Sequence, residues 1–271
     1  MKHVASKVIA IVIPLLVVLN FVVLGVLACT EELRFGYEDR ESGDFVVRFY
    51  KDKDYCEIIG TTEQGNNQRF LIIPEYIEGV KVRALGCKSL LSGFNPSNLT
   101  APDIASDVIE KAYFVIDIPV SGNSFINCTK CQKVMYPTVN SDSDRLSGSG
   151  RGTDVYYPRK SFESVYGTNY TQGYRRFPAN VSYYYNYEDS ANDGYYWIDD
   201  CEYGGIIEYI PPEPKREGYE FGGWYKEAEC INAWNFDTDT LPEEKKELEA
   251  YGDGFREVTA YQETILYAKW V

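Results

Sequence analysis

The stretch Ile206–Val271 opens IIEYIPPEPKREGYEFGGWYKEAECINAWNFDTDTLP (206–242) and closes YQETILYAKWV (261–271), and no other part of the chain carries aromatics at such fixed spacings. Within GYEFGGWY, Tyr219, Phe221 and Tyr225 fall on odd positions, so a half-buried strand predicts their rings inward. Gly222 and Gly223 interrupt that alternation, which predicts a bulge that swings Trp224 across the sheet as a core plug. Upstream, Pro211, Pro212 and Pro214 lack the N–H that a ladder needs, so a strand over IIEYI (206–210) ends there and PPEPKREG is a loop. TILYAKW (264–270) alternates again, with Ile265, Tyr267 and Lys269 on one face and Leu266, Ala268 and Trp270 on the other. Two partly apolar faces read as a central strand. Between these strands LPEEKKELEA (241–250) has a proline near its start and strong helix formers after it, which predicts a short helix crossing the sheet. Trp224 and Trp270 are the expected core residues.

The Pro-x-Pro turn (Pro212, Pro214), Arg216-Glu-Gly218-Tyr-x-Phe221-x-Gly223-Trp224-Tyr225, Trp234-x-Phe236-x-Thr238-Asp239 and Thr264-x-Leu266-Tyr267-Ala268-x-Trp270 make a long ordered set. This set closely resembles the Listeria-Bacteroides repeat, the family that includes the B repeat of internalin-type surface proteins. The resemblance implies a small β-grasp-like module of a bacterial surface protein, with no catalytic residues to carry over. The module is placed at residues 178–271, with VSYYYNY (181–187) as its first strand and YYWIDD (195–200) as the hairpin partner. The repeat occurs once here, whereas many relatives carry it in tandem.

Composition narrows the chemistry. At 271 residues, with 44% apolar and 15% aromatic residues, the chain can bury a real core in one or two domains. Residues 1–28 hold Lys2 and Lys7 but no acid, so the remainder has 25 basic and 41 acidic residues, a net charge of −16. Nucleic acid is not an expected partner, because phosphate binding needs clustered Lys and Arg. The single histidine is His3, which leaves the rest of the chain without a Ser-His-Asp or Cys-His triad or a His-ligated zinc. The expectation is a protein that is not an enzyme and holds no cofactor.

Residues 8–28, VIAIVIPLLVVLNFVVLGVLA, form an apolar run of 21 behind Lys2, His3 and Lys7, which places the chain after Ala28 outside the membrane. The run is close to the roughly 20 residues that span a bilayer and longer than the roughly 7 to 15 of a cleaved signal. Val26-Leu27-Ala28-Cys29 also resembles a bacterial lipobox, in which Cys29 would carry the lipid. Signal peptide with lipidation and uncleaved membrane anchor both stay open, and both tether the protein at the extracellular face of the envelope. Residues 29–44 are a charged spacer or a first exposed strand.

The region 45–175 begins with two strands, FVVRFY and YCEIIGTT, joined by KDKD. FLIIPEYIEGVKVRALGCKSL (70–90) and GNSFINCTKCQKVMYPTVN (122–140) then set short apolar pieces between single Pro or Gly residues, the cadence of a solenoid. Ile72-Ile73-Pro74, Ile77-x-Gly79-x-Lys81-Val82, Gly122-Asn-Ser-Phe125-x-Asn127-Cys128 and Val134-x-Tyr136-Pro137 are similar to leucine-rich repeats of the BspA type over about residues 70–158. NSDSDRLSGSGRGTD (140–154) reads as a loop, and VYYPRKSFESVYGTNY as a strand and a capping helix. The expected fold class is therefore mainly β with short helices: an N-terminal anchor, a short leucine-rich-repeat solenoid and a β-grasp-like module.

Four groups of residues could carry chemistry. Cys128-Thr-Lys-Cys131 has the spacing of a redox pair or half a zinc site, but no second CxxC accompanies it, and core filling explains it more simply. The acids Glu188, Asp189, Asp193, Asp199 and Asp200 fit an EF-type calcium loop poorly, with Ala191 at the third place and Asp200 at the twelfth; solvated loops are the simpler reading. Tyr184, Tyr195 and Tyr196 are candidates for stacking on sugar rings. Cys201 follows YYWIDD and Cys230 follows GGWYKE, with every other cysteine upstream of residue 132. An exported location permits a disulfide between them, which would stabilise by roughly 3 to 4 kcal/mol if the Cα atoms lie within about 7 Å. The alternative is two small apolar residues in different places. The expected function is non-enzymatic binding or adhesion, to an extracellular protein or glycan ligand; a carbohydrate- or calcium-dependent module and a structural spacer are the rivals.

Overall fold

The computed structural model describes residues 36–88, 99–140, 146, 153–168, 175–190 and 192–271. The apolar run 8–28 and Cys29 lie outside the described residues, and no described helix is long and apolar enough to cross a membrane. The chain is mainly β, with two short α-helices among the described residues.

The first sheet is built from β1 (Tyr37–Ser42), β2 (Phe45–Tyr50) and β3 (Tyr55–Thr61), consecutive antiparallel strands joined at Gly43-Asp44 and at the KDKD turn. β1 exposes nearly all its side chains, so no apolar alternation marks it in the sequence. The turn after it needs Gly43, whose φ is +58°. Helix α1 (Glu63–Asn66) comes next, its Gly65 amide capped by Thr62. After β4 (Phe70–Ile73) and β5 (Tyr76–Ile77), β6 (Val80–Leu85) lies parallel to β3, giving the order β1-β2-β3-β6-β5.

Next come β7 (Cys87–Lys88), β8 (Leu99–Thr100), β9 (Ala105–Ser106), β10 (Lys111–Phe114), β11 (Asn127–Cys128), β12 (Lys133–Met135), β13 (Asp154–Tyr157), helix α2 (Arg159–Tyr166) and β14 (Arg176–Pro178). A second sheet runs β14-β13-β12-β10-β4, every neighbouring pair parallel. Lys111 pairs with Lys133, Lys133 with Asp154 and Val155 with Arg176, so from β10 onward the chain returns to the same place every 21 to 22 residues, after a first step of 41 from Phe70 to Lys111. The register stacks Leu71, Ala112, Val134 and Val155 in one fully buried column, part of the first hydrophobic core. Cys128 and Cys131 both sit in that core, where burial pushes the Cys131 thiol up, helped by Cys128. The intervening residues Ile72, Tyr113, Met135, Tyr156 and Phe177 point out of the opposite face, and they are covered too. A sheet covered on both faces explains its continuous apolar strands.

The second face is covered by the C-terminal region: β15 (Val181–Tyr184), β16 (Tyr195–Asp199), β17 (Phe221–Tyr225), β18 (Lys246–Tyr251), β19 (Gly254–Thr259) and β20 (Thr264–Trp270). Its main sheet has the order β16-β15-β20-β17, with β20 central and parallel to β15. The register slips between Phe221 and Trp224 with Gly223 at φ +100°, which is the expected bulge, and Trp224 is buried against Tyr183 at 4.9 Å.

Several sequence expectations fail in this region, among them the inward ring of Tyr219, which precedes β17 and is exposed, and the strand over 181–187, which ends at Tyr184. Residues 206–210 form no strand; Ile207 and Tyr209 instead pack as separate side chains on the aromatic cluster. Residues 241–250 form no helix, and among the described residues 178–271 contain no α-helix. Lys246–Tyr251 is β18, paired with β19 through a two-residue Gly252-Asp253 turn in which Gly252 has φ +59°. A helix this short is marginal in water, while GFREVT offers a partner strand and a cross-strand ion pair, Arg256 to Glu249 at 2.7 Å. Trp270 is half-buried rather than enclosed: it lies against Phe221 and donates Nε1–H to Tyr185 O at 2.6 Å.

Candidate functional site

The parallel sheet and the C-terminal sheet meet through aromatic rings. Tyr113 of β10 stacks on Trp197 at 5.1 Å and on Tyr209 at 5.0 Å, and Phe70 of β4 meets Tyr209 at 5.3 Å. At one end of this contact Lys111 Nζ donates to Asp199 Oδ1 and to the Asp200 carbonyl, both at 2.8 Å, and Lys133 Nζ reaches Asp200 Oδ2 at 2.6 Å. Burial pulls the Lys111 ammonium down, and Asp199, Cys201 and Asp200 together more than offset it, so its pKa ends above the ordinary value. Burial pushes the Asp200 carboxyl up against the opposing pull of Lys133. Tyr113 is held neutral by burial and by the charge of Asp199. Two members of the acidic group singled out in the sequence thus work as lysine partners across the junction. Asp193 pairs with Lys160 at 3.2 Å, and no described His, Cys, Asp and Glu residues group as metal ligands.

Two clefts flank the junction. The first, about 790 Å³, runs beside β13 and β14 and is lined by Tyr156, Phe177, Cys201, Tyr203, Arg256 and Tyr261. The second, about 770 Å³, lies where β10, β12 and β13 end, and its walls include Glu75, Asp117, Tyr185, Asp193, Tyr195 and Tyr196. Both volumes fall within the roughly 300 to 1,000 Å³ of small-molecule sites. Tyr195 and Tyr196, chosen from the sequence for sugar stacking, line the second cleft; Tyr184 instead packs between Tyr195 (4.5 Å) and Tyr267 (5.8 Å). A regular strand over 181–187 would put Tyr185 on one face with Tyr183 and Tyr187. The strand ends at Tyr184 and Asn186 turns at φ +56°, which delivers Tyr185 to the cleft. Glu75 and Asp117 carry no sequence signal, because only the coiling of the parallel strands brings them to this wall.

Cys201 and Cys230 are not brought together. Cys201 exchanges hydrogen bonds with Asn180 just before β15, whereas Cys230 Sγ lies 3.4 Å from Asn186 Nδ2 just after it. The strand β15 lies between those points, roughly 13 Å from Asn180 to Tyr184 at about 3.3 Å per residue, which is beyond disulfide reach. Both are free thiols, and burial pushes each one up.

Residues 180–251 match the Listeria-Bacteroides repeat domain. Two proteins of Evansella cellulosilytica are similar over short stretches. One, named "Putative membrane protein", is 36% identical over 72 residues, 26% of this chain and 8% of that protein. The other, named "Putative Gly-rich membrane protein", is 32% identical over 124 residues, 45% of this chain and 11% of that protein. The chain therefore spans about a tenth of the length of the curated relatives it matches. No solved structure matches it. The sheet β16-β15-β20-β17 begins with the matched segment and closes with β20 beyond it, so the C-terminal third of this chain, over residues 180–251, is similar to the Listeria-Bacteroides repeat domain.

Proposed function

We propose that the protein is exported, tethered at the outer face of a bacterial envelope through residues 1–28 or a lipid on Cys29, and binds a ligand there without catalysing a reaction. The observation that carries this reading is the aromatic and ionic junction, which locks the parallel sheet to the repeat module and so holds two concave clefts in fixed shape. The similarity to a repeat of surface proteins and the membrane-protein names of the two relatives support the location. The return every 21 to 22 residues, with Ile73-Pro74, Tyr136-Pro137 and Tyr157-Pro158 following the strands, supports the BspA-type leucine-rich-repeat reading of the parallel sheet. The parallel pair β15 and β20 supports a β-grasp-like reading of the module.

Protease treatment of intact cells, together with a glycan and extracellular-matrix array probed with the purified chain, tests this. Loss of the protein from intact cells and a saturable hit on the array are expected. Full protection from protease overturns the location, and a blank array overturns the binding role. Labelling with a fatty-acid analogue separates the two tethers: a lipoprotein labels in the wild type and not as Cys29→Ser, and equal labelling leaves the uncleaved anchor.

A further inference from the structure

We propose that the cleft at the ends of β10, β12 and β13 is a binding site for a neutral oligosaccharide; this rests on the binding reading above and names its ligand class. Tyr185 and Tyr196 lie 5.2 Å apart with their planes at 66°, so they form a corner. Tyr196 is stacked on Trp224 and backs Tyr185, which leaves the Tyr185 ring as the apolar wall on which a pyranose can lay its C–H face. The Tyr196 hydroxyl donates to Pro212 O at 2.5 Å, which holds that wall in place.

The charged groups of the cleft are mostly carboxylates, and Thr138, Ser161 and Ser164 add hydroxyls that donate or accept. Glu75, Asp117 and Asp193 line it, and its cation Lys160 is paired with Asp193 at 3.2 Å. Asp117 Oδ1 accepts from Tyr136 OH at 3.0 Å and Asn140 Nδ2 at 2.6 Å, so this carboxylate is oriented before any ligand arrives. Three carboxylates against one lysine disfavour an anionic ligand, and mixed hydroxyls and carboxylates suit groups that both donate and accept, which fits the hydroxyls of a neutral sugar and opposes uronates, sulfated glycans and nucleic acid.

A second observation points the same way. A recess of about 30 Å³ shares Val115, Pro137, Pro158, Tyr195 and Tyr196 with the cleft and is lined by Trp197 as well. Trp197 is 7% exposed, and its Nε1–H has no hydrogen-bond partner. A buried N–H calls for an acceptor, and a recess of this size takes one hydroxyl-sized group. The same walls disfavour an extended peptide. Pro137 and Pro158, which follow β12 and β13 at the cleft, have no amide hydrogen to offer a main-chain ladder.

The test is calorimetric titration of the full chain, in a detergent without a sugar head group, with cellohexaose, chitohexaose, heparin and a Lys-rich peptide. Binding of a neutral hexasaccharide with a change in tryptophan fluorescence is expected. Tyr185→Ala should weaken it at least tenfold, Tyr185→Phe should retain it, and Glu75→Gln should weaken it several-fold with an unchanged melting temperature. Binding of neither hexasaccharide, binding of heparin or the peptide alone, or hexasaccharide binding that survives both Tyr185→Ala and Glu75→Gln overturns the proposal. An array ligand whose binding survives those two variants leaves the binding role standing and removes this site. Protease protection on cells removes the surface location without touching the titration.

Discussion

Two single residues show how differently the junction and the core are held. Trp224 is 4% exposed and packed by Tyr183, Tyr196 and Phe221, so Trp224→Ala opens a cavity in a finished core and should cost about 3 to 5 kcal/mol. Half-buried Trp270 should cost less when truncated, and urea unfolding of the two variants ranks them. Equal midpoints would contradict the packing. Lys111 is a different case, because its partner Asp199 is 1% exposed and also accepts from the Asp200 amide at 2.7 Å. Lys111→Met leaves that carboxylate buried without its cation, at a cost of roughly 3 to 5 kcal/mol. The double variant Lys111→Met/Asp199→Asn should recover part of the loss, since it removes the unpaired charge as well. A double variant as unstable as the sum of the singles would show that the pair is not coupled.

Elements carry the next level of argument, and Glu263 joins three of them. It precedes β20, accepts from Ser182 Oγ of β15 at 2.6 Å and lies 3.6 Å from Arg159 at the start of α2. Burial pushes its carboxyl above the ordinary 4.5, against the opposing pulls of Ser182 and Arg159. The folded chain therefore keeps this proton where the unfolded chain has released it. A carboxylate raised in this way costs stability as pH rises through the window above 4.5. The melting temperature of the wild type minus that of Glu263→Gln should accordingly be greatest at the acid end and fall toward neutral pH; a flat difference contradicts the burial. The sequence made some elements legible and hid others for physical reasons. The glycine bulge at Gly222-Gly223 and the central strand β20 were readable, because each breaks or keeps a two-residue period. The β18–β19 hairpin was not, because helix formers outvoted a partner strand lying three residues beyond β18. β1 is the exposed strand that the charged segment before Phe45 leaves open beside a spacer, because its exposure gives no apolar period to decide between them, and Glu75 and Asp117 are hidden by a meeting that only the coiling of the parallel strands produces.

At the scale of the whole molecule, the two regions read from the sequence at 45–175 and 178–271 share one core. Tyr113, Met135 and Tyr156 from the parallel sheet and Trp197, Ile207 and Trp224 from the repeat module belong to a single buried cluster, tied at its rim by two lysine–aspartate pairs. Separable domains meet through smaller and more polar contacts than this. Removing the parallel sheet would expose Trp197 and Tyr209 and strand Asp199 without Lys111. The full chain should therefore unfold in one cooperative step, with aromatic near-ultraviolet and backbone far-ultraviolet signals coincident. The isolated segment 178–271 should melt well below the full chain and bind a hydrophobic dye through its uncovered aromatic face. Two separate transitions in the full chain, or a segment as stable as the whole, would mean that the junction is a contact between independent domains, and the clefts beside it would then lose the rigid walls on which a fixed binding site depends.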